Sequence, residues 1–141
     1  MINFKPYKSK FEYDVAKLME EQGLEFEYEP KQIKYILPIR SGCCSDCGSY
    51  SVGKRSIYTP DFFIPMLGLW VETKGKWDSQ GRSKIASVLD SENEITHKNF
   101  RMLFMYDNWI TKNKREKYTD WCNKRNIISG VGTALPKEWL K

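Results

Sequence analysis

The chain lacks the features that define several protein classes. Among its 141 residues there is a single histidine, His97. It lies among Glu94, Thr96 and Lys98, where it reads as an exposed loop residue rather than a general base. No apolar run approaches the roughly 20 residues needed to span a bilayer. The start, Met-Ile-Asn-Phe-Lys-Pro-Tyr-Lys, has no signal-peptide core, so a soluble protein of the cytoplasm is expected, with no membrane partner. There are four cysteines, Cys43, Cys44, Cys47 and Cys122. A cytosolic protein keeps them reduced, which argues against a disulfide framework. No internal repeat and no second domain is visible.

What is present fits one domain, 1–141, with 40% hydrophobic and 14% aromatic residues to build a core. The net charge is +5 and the pI about 9.0, which suits a polyanionic partner. The cations cluster. Lys5, Lys8 and Lys10 lie early, and Lys112, Lys114, Arg115 and Lys117 lie late, with Lys124 and Arg125 close behind. Ser9 and Lys76 join the two clusters as candidate DNA contacts. The plainer alternative for any one cluster is a solvated face.

Phe11, Val15, Leu18 and Met19 form an apolar stripe that predicts a helix over Lys10–Gln22, with Ser9 as N-cap and Gly23 just past the end. Leu24, Phe26 and Tyr28 alternate with Glu25, Glu27 and Glu29, as in a half-buried strand ended by Pro30. A short strand is expected over Lys34–Leu37, stopping at Pro38. Ser41–Lys54 is rich in Gly, Ser and Cys and reads as a loop or knuckle, so 39–56 is expected to be an inserted loop or bridge. Strands follow at Ser56–Ile64 and Leu69–Lys74, around a turn at Pro65–Gly68. A helix from Gln80 to about Asn93, a buried strand over Phe100–Met105 and a helix over Tyr118–Arg125 complete the core, and the end docks by Trp139 and Leu140. The order gives an α/β fold with a mixed sheet flanked by helices.

The chemistry concentrates in Thr59-Pro60-Asp61-Phe62-Phe63-Ile64-Pro65 and Val71-Glu72-Thr73-Lys74-Gly75. Residues i and i+2 of a strand share a face, so Glu72 and Lys74 point together, and a tight hairpin brings Asp61 beside them. Two carboxylates and an ammonium around one point suit a hard divalent cation, Mg²⁺ or Mn²⁺, and a phosphodiester. The Thr73 carbonyl is a candidate third oxygen ligand. Lys74 is a candidate for contacting the phosphate or positioning the attacking water. Glu-x-Lys alone is usually a solvated strand face, and Pro-Asp alone a turn. Their combination across one hairpin, beside Trp70 and Val71, is what points to a metal-dependent nuclease.

Pro60-Asp61 with Glu72-Thr73-Lys74 resembles the PD-(D/E)xK nuclease superfamily. Phe26-Glu27-Tyr28-Glu29, Tyr35-Ile36-Leu37-Pro38, Tyr58-Thr59-Pro60-Asp61-Phe62, Val71–Gly75 and Leu135-Pro136-Lys137-Glu138-Trp139 resemble, in order, the endonuclease I family of T-odd bacteriophages. That resemblance covers nearly the whole chain. It implies a restriction-endonuclease-like core, an intertwined, strand-exchanged homodimer, and resolution of four-way Holliday junctions and other branched DNA in the host cytoplasm. It also implies that Ser9-Lys10-Phe11-Glu12 supplies a further catalytic and metal-binding carboxylate, Glu12, from one chain to the Asp61, Glu72 and Lys74 of the other. Without the resemblance, Glu12 reads as an ordinary first-turn helical Glu.

Cys44-x-x-Cys47-Gly, with Cys43 adjacent, resembles half of a zinc knuckle. Structural Zn²⁺ takes four ligands, and the fourth would come from Cys122, His97 or a partner chain. The alternative is a reduced loop. Two rival functions remain open on the residues: a general, sequence-specific or transposase-associated nuclease, and a non-catalytic basic nucleic-acid-binding module.

Overall fold

The computed structural model of the chain describes residues 6–42 and 50–141. Lys5 and the candidate zinc ligands Cys43, Cys44 and Cys47 lie outside the described residues.

Helix α1 spans Lys10–Glu21. Ser9 is extended, and its Oγ accepts from the Glu12 N–H at 3.1 Å, which satisfies an otherwise unpaired donor of the first turn. Gly23, at φ 76°, ends the helix. The Gly23 N–H donates to the Glu20 carbonyl and the Leu24 N–H to the Met19 carbonyl, the paired closure of a Schellman motif.

Strand β1 is only Glu27–Tyr28. Strand β2 runs Ile33–Gly42 and pairs antiparallel with β3, Tyr50–Tyr58, as a separate two-stranded ribbon. The expected stop at Pro38 is corrected, since strand continues through it with a register shift between Pro38 and Arg40; of the expected loop Ser41–Lys54, residues 41–42 and 50–54 are strand and the rest lies outside the described residues. Proline lacks the N–H a two-sided ladder needs, but each strand of a lone ribbon has one free side, and a bulge absorbs the misfit.

The expected strand Ser56–Ile64 is broken at Thr59-Pro60-Asp61. Its first part belongs to the ribbon. Its second part, β4 (Phe62–Ile64), enters the main sheet. There β4 makes an antiparallel hairpin with β5 (Leu69–Lys74), pairing Phe62 with Val71 and Ile64 with Leu69. Gly68, at φ 63°, closes the turn by donating to Pro65 O. Helix α2 (Ser79–Asp90) crosses to β6 (Phe100–Phe104), parallel to β5. Helix α3 (Tyr118–Lys124) crosses to β7 (Ile128–Val131), parallel to β6 and not expected from the sequence. The five-stranded order is β1-β4-β5-β6-β7.

Two apolar clusters lie on opposite faces of this sheet, because side chains alternate along each strand. Val71 and Leu103 join Phe11, Val15 and Met19 of α1 on one face. Trp70, Met102 and Phe104 join Trp77, Ile85, Trp121 and the ribbon's Ile33, Tyr35 and Tyr58 on the other. The C-terminal 3-10 turn, Lys137–Leu140, packs on the α1 face through Trp139, with Leu135 just before it. No helix among the described residues is long and apolar enough to cross a membrane.

Gly130 of β7 is what lets that terminal turn approach. A Cβ there would meet Pro136 Cγ at 2.6 Å and Trp139 Cζ2 at 3.2 Å. Gly130→Ala is expected to cost about 1–3 kcal/mol, the usual range for overpacking. Urea unfolding measures it, and an unchanged midpoint would show that the turn contributes nothing to holding β7.

Candidate active site

The site is made where β4 stops short. Its last pair with β5 is Phe62–Val71, so Glu72, Thr73 and Lys74 run past the end of the hairpin ladder. The Asp61 side chain takes over there. Its Oδ2 accepts from the Thr73 N–H at 2.9 Å and from Thr73 Oγ1 at 2.7 Å. The backbone ladder is thus continued by a carboxylate, which fixes Asp61 beside Glu72.

Glu72 is almost wholly buried, 4% exposed. Tyr58, the last residue of the ribbon, donates its hydroxyl to Glu72 Oε1 at 2.6 Å. Lys74 Nζ lies 3.5 Å from Oε2. Burial first, then the charge of Asp61, pushes Glu72 up to about 8, against the pull of Lys74, Tyr58 and the Asp61 N–H. Burial also raises Asp61, opposed mainly by the Thr73 donors.

Glu12 arrives from α1. The Tyr28 hydroxyl holds it, 3.1 Å from Oε1 and 3.3 Å from Oε2. Burial, then the charge of Asp61, pushes Glu12 up to about 7. Glu12, Asp61, Glu72, Thr73 and Lys74 all line one cleft of about 400 Å³, with Lys8 and Ser9 at its rim. Lys8 is paired with Glu29 at 2.7 Å. The resemblance implied a partner's Glu12 in each site. In this single chain, Glu12 lines its own cleft.

The other expected contacts lie elsewhere. Lys10 is exposed and paired with Asp14 along α1. Lys76 is exposed just past Gly75. Lys112, Lys114, Arg115 and Lys117 belong to the stretch between β6 and α3, where the Lys117 ammonium sits 4.8 Å from the Trp109 ring centroid. Cys122 is buried in the core, and burial pushes its thiol up to about 12. His97 is exposed, its Nδ1 3.1 Å from the Asn126 carbonyl.

The donor set around Asp61 is oxygen only, which fits a hard divalent cation rather than a soft one. Among the described residues, no three His, Cys, Asp or Glu side chains form a ready-made cage. A Mg²⁺-type ion needs none, since it binds through one or two carboxylates and keeps its waters. Reasoning from sequence missed Tyr58 and Tyr28 as supports of the carboxylates. Tyr28 carried only the signal of strand alternation, and Tyr58 only that of a motif neighbour.

A mixed α/β domain with an acidic, all-oxygen cleft beside lysines is the class that fold and site define. The chain belongs to the phage endonuclease I family, whose model matches residues 2–141. It is 29% identical over 136 residues to Endonuclease I of Escherichia phage T7, across 96% of this chain and 78% of that protein. It is 31% identical over 123 residues to Endodeoxyribonuclease 1 of Enterobacteria phage T3, across 86% of this chain and 69% of that protein.

Glu72 and Glu12 sit above their ordinary 4.5, at about 8 and about 7, so each favours the protonated form on folding. Metal-free stability is therefore highest below about pH 4.5 as far as these groups are concerned, and is lost as pH rises toward 8. Tyr58→Phe removes a donor to the buried carboxylate and should cost about 1–3 kcal/mol. The deficit should be larger at pH 8.5 than at pH 5, because the lost bond is strongest to the ionised form. Thermal melts in EDTA at both pH values decide this; a pH-independent difference would mean that Tyr58 contributes only packing.

Proposed function

We propose that this chain is a structure-selective DNA endonuclease that resolves four-way junctions by paired, metal-dependent nicks. The observation carrying this reading is the convergence of Glu12, Asp61, Glu72 and Lys74 in one cleft of a phage endonuclease I family member. The hairpin β4–β5 followed by the α2 crossover to a parallel strand agrees with a PD-(D/E)xK core.

In this reading Asp61, Glu72 and the Thr73 carbonyl hold Mg²⁺ or Mn²⁺, and Glu12 serves a second ion. The bound ion supplies charge neutralisation and acidifies a water. The protein does the rest. Tyr58 and Thr73 hold the two carboxylates in fixed rotamers. Lys74 faces the phosphate and stabilises charge as the pentacovalent state forms. The basic residues outside the cleft, Lys10, Lys76, Lys112, Lys114, Arg115 and Lys117, position the DNA arms through phosphate contacts.

A four-way junction has two-fold symmetry and needs two matched cuts. A two-fold homodimer supplies two clefts at fixed spacing, acting in the host cytoplasm. We place the exchange at the N-terminal unit of α1 and β1, whose contacts with β5 and β4 can be made to either chain.

Cleavage of an immobile junction against matched linear duplex, with Mg²⁺ or EDTA, tests the reading. Paired nicks near the branch point, only with metal and with duplex spared, are expected. Equal cutting of both would make it a general nuclease. Binding without cutting would make it a binding module. Asp61→Ala, Glu72→Ala and Lys74→Ala should each abolish cleavage, by about 10³-fold or more, while junction binding persists.

Exchange has its own test. Glu12→Ala and Asp61→Ala chains refolded together should regain activity, because one site of the heterodimer is then wholly native. If sites form within single chains, the mixture stays dead.

A further inference from the structure

Lys84 is a cation of the cleft that has no part in this reading. The cleft is lined by three lysines, Lys8, Lys74 and Lys84. Lys8 is committed to Glu29 and Lys74 to Glu72. Among the described residues, Lys84 has no carboxylate partner. It is half-buried on α2, and its ammonium lies 5.5 Å from the Tyr58 ring centroid. An unpaired lysine usually extends its ammonium into water. Here the ring face attracts it instead. Tyr58 is itself immobilised, 1% exposed and bonded to Glu72. The backbone under Lys84 is equally fixed, because its neighbour Ile85 is buried in the core.

The result is an uncommitted positive charge, aimed into the cleft from the wall opposite α1 and tied to Glu72 through one rigid ring. We propose that Lys84 contacts a nonbridging oxygen of the DNA phosphodiester bound in the cleft. It acts as a second cation beside Lys74, whose charge is partly spent on Glu72. This assignment rests on the nuclease reading. Charge accumulates on the phosphoryl oxygens during hydrolysis, so a preorganised, half-desolvated ammonium stabilises it more than a solvated one would.

Lys84→Gln and Lys84→Arg test it on an immobile four-way junction. Single-turnover nicking with Mg²⁺ should fall on the order of 10²-fold in Lys84→Gln. Lys84→Arg should retain most of the rate, and melting temperatures should stay at the wild-type value. Junction binding in EDTA supplies a readout free of catalysis. The slope of log affinity against log salt should shrink by about 0.9 in Lys84→Gln, the signature of one lost phosphate contact. Wild-type nicking with an unchanged salt slope overturns the assignment. So does a slower rate in both variants with a lowered melting temperature and an unchanged slope, which would make Lys84 a support for Tyr58. If the wild-type protein itself cuts nothing, the nuclease reading fails, and the salt slope still decides whether Lys84 touches phosphate.

Discussion

Asp61 and Glu72 are two carboxylates held side by side, Glu72 buried and Asp61 half-buried, and the rest of the cleft follows from the cost of keeping them there. A buried, ionised carboxylate is tolerated only with donors or counter-charge around it. Here the donors come from a deliberate interruption of the sheet. Because β4 begins only at Phe62, the Thr73 N–H has no strand partner on that side, and Asp61 takes it. Glu72 receives Tyr58 from the ribbon and Lys74 from its own strand. The same interruption that creates the acidic pair thus supplies what stabilises it. Burial first, and then the Asp61 charge on Glu12 and Glu72, raises these acids, and a dication would relieve both.

The two faces of the sheet deliver different chemistry to this point. The α1 face brings Glu12, itself steadied by Tyr28. The opposite face brings Tyr58 and Lys84, carried by the ribbon and by α2. The parallel pairing of β5 with β6 anchors the centre, since Glu72, Thr73 and Lys74 stand opposite Met102, Leu103 and Phe104, all buried. The reactive half of β5 is therefore rigid on its β6 side and free of backbone pairing only where Asp61 reaches it.

Local rules made much of this legible from the chain. Ser9 and Gly23 bound α1, Pro65–Gly68 turns, and the two-residue period puts Glu72 with Lys74; each depends on neighbours in sequence, and each is found. The misreadings come from long-range context. Pro38 ends a strand in a two-sided sheet but not in a lone ribbon. Tyr58 and Phe62 look continuous, yet Pro60 and Asp61 divide them between two sheets. Ile128–Val131 is a four-residue edge strand containing a glycine, too short for a period to emerge. Glu12 has no local signal at all: 49 residues separate it from Asp61, and only the resemblance marked it.

The route of the chain bears on how two sites would be coupled. Asp61, Glu72, Thr73 and Lys74 lie on one hairpin and must come from the same chain. Glu12 lies on a unit, α1 with β1, that reaches the hairpin chain only after the full length of the ribbon. Its contacts with the sheet are two residue pairs from β1 to β4 and the apolar packing of Phe11, Val15 and Met19 against Phe62, Ile64 and Val71. Those contacts are the same whether the sheet belongs to the same chain or to a second copy. Exchange would keep those contacts between chains, but Ile33 pairs with Tyr58 within one chain, so the ribbon would have to re-pair for the unit to reach a second copy. What it would change is dependence: each cleft would be complete only when both chains are present, and neither cut could be made by a chain alone.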